Sequence, residues 1–222
     1  RLDRVAARVA GRPRPRVACL EWLDPLFAGG HWVPEQVALA GGVDVLGAPG
    51  ERSREVDWSE VIAARPDVLV LMPCGFDAAR ARAEAVAVTC RPHFAELPAA
   101  RSGRVFVADG AAYFSRPGPR LVDGVEILAR LLHPDVCPRP GAEAAAPLTE
   151  LGDPVGEAVQ ATIRRHPELA RDTSAAVPKA WGRLAGHAVL AYREIAGRPP
   201  AEAERRSLWR ALWDAAHERR AR

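Results

Sequence analysis

The stretch that most constrains the fold lies between residues 57 and 72. Asp57-Trp-Ser-Glu60 places an N-cap acceptor three residues before a glutamate, the capping-box pattern that opens a helix. Arg65-Pro66 stops that helix, and Asp67-Val-Leu-Val-Leu-Met72 follows as an unbroken apolar run. A strand that is apolar on both faces belongs in a parallel sheet covered by helices on both sides. Similar short apolar runs occur at 17–20, continuing into Glu21-Trp22, at 43–46 and at 105–107. Helical spacing separates them at 33–40, 77–88 and 119–132. This alternation predicts an α/β lobe with a doubly wound, mainly parallel sheet over residues 14–135.

The pattern then changes. Residues 136–153 are rich in Pro and Ala and read as a linker. Residues 154–222 carry only helical periodicity, at 154–165, 177–196 and 200–221, and predict a small all-helical unit. Trp181, Leu184, Ala188, Tyr192 and Ile195 fall on one apolar stripe, and Leu208, Leu212 and Trp213 on another.

Composition excludes several classes. The chain has 222 residues, 48% hydrophobic and 27% charged, which is globular and long enough for a real core. Its 31 basic and 28 acidic residues leave +3, too little and too scattered for nucleic-acid binding. No apolar run approaches the roughly 20 residues of a membrane span. The first 16 residues are charged and helix-like, without the apolar core of a signal peptide. As it stands the chain reads as cytoplasmic, or as periplasmic or cell-surface if a signal peptide lies upstream of Arg1. Cys19, Cys74, Cys90 and Cys137 form no CxxC pair, so neither a zinc site nor a disulfide framework is expected.

In open α/β sheets, ligands bind beyond the carboxyl ends of the strands. The loops expected there are rich in aromatics beside glycines: Trp22, Phe27, Trp32, Phe76, Tyr113 and Phe114. Such rings suit a flat or bulky organic ligand. Enzyme signatures are absent: the sequence has no GxSxG, no GxGxxG after a strand and no HExxH. Cys74 at a strand end, with His93 as base, is the one candidate nucleophile. His31 and Glu35 form an i, i+4 pair, but two ligands do not make a metal site, and none is expected.

Leu23-Asp-Pro-Leu-Phe27, Gly29-Gly-His-Trp-Val-Pro-Glu35, Ala40-Gly-Gly42, Asp57-Trp-Ser-Glu60, Arg65-Pro-Asp-Val-Leu-Val70 and Tyr113-Phe-Ser-Arg-Pro-Gly-Pro-Arg120 carry a resemblance. Over residues 14–134 the chain resembles the C-terminal lobe of the cobalamin- and iron-siderophore-binding proteins of ABC importers. In that family two α/β lobes joined by a long helix hold the ligand in a cleft, without catalysis. The resemblance implies a corrinoid ligand such as cobalamin, with Trp22, Phe27, His31, Trp32, Tyr113, Phe114 and Arg116 at the cleft. It implies Glu60 as the acidic position that docks an importer permease. Residues 1–13 would be a remnant of the connecting helix, and the N-terminal lobe would be supplied in cis or in trans. A ferric siderophore remains open through Arg52, Arg54, Arg116 and Arg120, and haem through Tyr113 or His31 as axial ligand. Two readings from other classes are a small α/β enzyme using Cys74 and an interaction module pairing through Trp181, Trp209 and Trp213.

Overall fold

A computed structural model describes residues 1–137, 144–148, 154–196, 199–200 and 202–218. The chain divides into two compact units, residues 1–85 with 93–151 and residues 86–92 with 152–222.

The first unit is mixed α/β. It opens with α1 (Leu2–Val9), whose buried Val5 and whose Arg1 ion pairs with Asp123 and Glu126 pack it on α8 (Arg120–Leu132). The sheet follows with β1 (Arg16–Leu23), β2 (Leu26–Ala28), β3 (Val43–Asp44), β4 (Arg54–Glu55), β5 (Val68–Leu71), β6 (Val105–Ala108) and β7 (Ala145–Pro147). The centre is parallel, as the apolar runs require: β1 pairs with β3 and β5, and β5 with β6. β2, β4 and β7 extend it antiparallel at the edges. The full order is β4-β2-β1-β5-β6-β7, with β3 beside β1. Every residue of β5 and β6 is buried.

The helices of this unit are α2 (Val33–Leu39), α3 (Trp58–Ala64), α4 (Ala78–Glu84), α6 (Pro98–Arg101), α7 (Gly110–Tyr113) and α8. The capping box at α3 forms, with Glu60 Oε1 accepting from Asp57 N at 2.9 Å. One core joins Val17, Cys19, Val37, Val70, Met72, Phe106, Ile127 and Leu128 across sheet and helices.

The Asp24-Pro25 segment is the turn of a β1–β2 hairpin, and the Asp24-Pro25 peptide is cis. Two expectations are corrected here. The expected linker contains β7, whose Ala145–Pro147 backbone pairs with Phe106–Ala108, so the sheet does not end at residue 135. Residues 138–143 and 149–153 of that linker lie outside the described residues. The single helix expected over 77–88 breaks after Glu84; α5 (Val86–Thr89) places Val86 in the core of the second unit.

The second unit is helical: α5, α9 (Pro154–Arg165), α10 (Pro167–Ser174), α11 (Ala180–Ala196) and α12 (Glu202–Glu218). α10 was not anticipated, because Pro167 reads as a breaker but sits in the first turn, where its missing N–H costs nothing. Leu184, Ala188, Tyr192, Leu208 and Leu212 fill the core with Val155, Val159, Ile163 and Leu169. Two members of the expected stripes point elsewhere: Ile195 is 40% exposed and Trp213 46%. The part of the last predicted helix beyond residue 218 lies outside the described residues.

Candidate functional site

The loops after β1, β5 and β6 meet at the carboxyl end of the sheet. A register shift in the β1–β2 ladder pairs Leu20 with Ala28 but Trp22 with Phe27. The extra residue, Glu21, forms a bulge, and a bulge re-aims the side chain that follows. Trp22 therefore faces outward, 38% exposed, while Leu23 stays buried. Phe27, directly opposite on β2, shares its face and is half-buried.

Trp22 also meets Phe76 of the loop after β5 edge-on, with ring centroids 5.4 Å apart. The Arg80 guanidinium lies 3.6 Å over the Phe76 ring, a close cation–π stack. Arg80 reaches that position because Asp77 caps α4, accepting from Arg80 N at 2.7 Å. The loop is tied to its neighbours by Cys74 N donating to Glu21 O at 2.8 Å and Ala111 N to Phe76 O at 3.0 Å. Trp22, Phe27, Phe76 and Arg80 thus form an aromatic corner with a cation on it. Phe76 was named among the loop aromatics but not placed at the cleft, and Arg80 was not singled out from the sequence. Their i, i+4 spacing across a helix start was the available signal.

The other predicted aromatics form a second group. Trp32 stands at the N-terminal boundary of α2 without capping it and is half-buried against the first core, and its indole Nε1–H donates to Phe114 O at 2.7 Å. Tyr113 is half-buried at the end of α7. Phe114 is only 3% exposed, a core ring rather than a wall residue. Its place beside glycine-rich loops suggested surface; the ring packs instead against α8, where Gly124 leaves room for it. His31 is exposed, in the left-handed region at φ 54°, with its ring 5.9 Å from that of Trp32. Arg116 is exposed in the loop that leads to α8.

Glu60 is exposed but engaged twice, by the Asp57 amide and by Arg54 Nη1 at 3.0 Å, and both hold its carboxyl below the usual range. Cys74 is exposed, and His93 is hydrogen-bonded to Glu96 at 2.9 Å. Among the described residues, no group of three or more His, Cys, Asp or Glu is placed to hold a metal ion. Among them, too, no helix is long and apolar enough to cross a membrane.

No family model matches this sequence, and no curated protein does. Solved structures match by fold. An ABC transporter substrate-binding protein from Listeria monocytogenes EGD-e has a TM-score of 0.53 at 17% identity, over 60% of this chain and 53% of its own. A periplasmic heme-binding protein from Pseudomonas aeruginosa gives 0.52 at 24%, over 64% of this chain and 52% of its own. A periplasmic binding protein from Veillonella parvula gives 0.51 at 20%, over 60% of this chain and 47% of its own. The chain spans about half the length of the structures it matches, and over that span it has the α/β fold of the lobes of ABC-importer substrate-binding proteins.

Proposed function

We propose that the chain is a non-enzymatic binding lobe for a flat, largely apolar macrocycle with polar edges, a corrinoid such as cobalamin. The observation that carries this reading is the Trp22–Phe27–Phe76 corner with Arg80 stacked on it, at the end of the sheet where α/β folds bind ligands. Trp22 and the half-buried Phe27 supply apolar area, Phe76 backs them as a buried ring 8% exposed, and the exposed guanidinium stacked on it supplies donors for an amide or carboxylate at the ligand's edge. His31, Trp32, Tyr113 and Arg116 extend the wall; Phe114 supports it from the core. Haem is the second reading, supported by the Pseudomonas heme-binding neighbour, with Tyr113 or His31 as the axial ligand.

The chain works, in this reading, with a second lobe in cis or in trans, and delivers its ligand to an importer permease. Glu60 is the docking position by resemblance, and any cationic group of a permease that pairs with it would have to displace Arg54. One wall buries far less ligand than two while the cost of immobilising the ligand stays nearly the same, so the isolated chain binds weakly. The test is calorimetric titration of cobalamin, and separately of haem, into the chain. The expected dissociation constant is about 10 μM or weaker, with quenching of tryptophan fluorescence. Nanomolar binding would contradict the half-cleft reading. No heat and no quenching at millimolar cobalamin or at saturating haem would contradict the ligand class.

A further inference from the structure

The segment carrying His31 and Trp32 hangs on a buried carboxyl group. Asp44 ends β3; its Oδ1 accepts from Leu46 N at 2.9 Å and Gly47 N at 2.8 Å, closing the turn into the 47–54 loop. Its Oδ2 is buried with no hydrogen-bond partner. Gly47 is tightly held: a Cβ there would overlap the Gly29 carbonyl oxygen and lie 2.9 Å from Pro34 Cγ and 3.5 Å from Asp44 Oδ2. The unpartnered oxygen thus borders the seam where the 47–54 loop meets Gly29. The seam runs on from there. A Cβ on Gly30 would strike the Arg52–Ser53 backbone, His31 N donates to Glu51 O at 2.6 Å, and Gly50 N donates to His31 O at 2.9 Å.

We infer that Asp44 is a proton-operated latch on the 29–32 segment, closed when Oδ2 carries a proton and loosened when it does not. The inference concerns regulation of the wall proposed above. An ionised oxygen buried without a donor is costly, and Oδ2 is buried with none. A proton taken from solvent onto Oδ2 removes the charge that burial penalises and turns the oxygen into a hydroxyl beside the Gly47–Gly29 contact. Burial pushes this carboxyl up to about 6, against the pull of the two amides.

The charges around it do not compensate. From β1 come Arg16, whose guanidinium is spent on Ala64 O, Glu21, and the Cys19 thiol, which burial and then Asp44 itself hold neutral. From α2 comes Glu35, and from the loops His31, Glu51 and Arg52, all four exposed.

The test needs no ligand, so its failure is separable from failure of the ligand reading. In the full chain, the ¹³C shift of the Asp44 carboxyl and amide exchange at Leu46, Gly47, His31 and Gly50, corrected for intrinsic rates, are followed from pH 4 to 8. The carboxyl midpoint is expected near 6. Protection at the four amides falls as pH rises through it, by up to about a hundredfold, at tenfold per unit of displacement. Asp44→Asn keeps the Oδ1 acceptor and places a permanent N–H at Oδ2, and its protection is flat with pH. A midpoint near 4, or an equal slope in Asp44→Asn, overturns the inference. If that variant does not fold, the wild-type midpoint and slope decide alone.

Discussion

Trp22 and Trp32 sit in loops at the same end of the same sheet and have opposite fates. Trp22 follows a bulge, bonds only locally, with Nε1 on Asp24 O at 3.2 Å, and keeps its face in solvent beside Phe76. Trp32 is anchored across 82 residues, Nε1 on Phe114 O at 2.7 Å, and packs on the core. A buried indole needs a partner for its N–H, and the partner decides which face remains free. The first tryptophan therefore keeps a face in solvent, and the second ties the start of α2 to the end of α7.

Truncation of the anchored side is expected to cost most. Phe114→Ala empties a core position and should destabilise the first unit by about 3–5 kcal/mol in denaturant unfolding. A loss under 1 kcal/mol would show that the ring is not core.

Next is the pH dependence. Asp44 has a folded-state carboxyl raised from 3.8 to about 6. A raised folded value means that the native state holds the proton more tightly than the unfolded chain. Its stabilisation is complete below about pH 4 and is lost as pH rises through about 6. At pH 7 the loss approaches about 3 kcal/mol. Asp44→Asn should remove that component of the slope and be the more stable protein at pH 7; an unchanged slope would contradict this.

Trp32→Phe leaves Phe114 O without its donor and should cost about 1–3 kcal/mol. Trp22→Ala should cost the least in stability, about 1 kcal/mol, mostly the edge contact with Phe76. A Trp22→Ala variant less stable than Trp32→Phe would reverse the comparison.

The lobe was legible where burial writes itself into side chains. β5 shows as an unbroken apolar run, and α3 carries its capping box in Asp57 and Glu60. Elements held by backbone alone were not legible. β7 is Ala-Ala-Pro, with no alternation to mark it, and takes its place through its pairing with β6. β2 is three residues long, and its hairpin register depends on a bulge that no residue type announces. At the site, residue type picked out the aromatics but not which were free. Phe114 and Trp22 look alike in sequence; packing against Gly124 of α8 buries the one, and a single extra residue in β1 turns the other out. Arg80 was passed over because it belongs to a helix, and only the cap at Asp77 brings it over Phe76.

The central claim is that the exposed corner, not the anchored ring, meets the ligand. Cobalamin titrations of the parent chain, Trp22→Ala and Trp32→Phe, at a temperature where all three are folded, test it most directly. Loss of a large apolar contact in Trp22→Ala should weaken binding by about 1–3 kcal/mol, roughly 5- to 150-fold, with stability nearly unchanged. Trp32→Phe should lose stability but bind within about threefold of the parent. Binding untouched in Trp22→Ala and abolished in a folded Trp32→Phe would contradict the account.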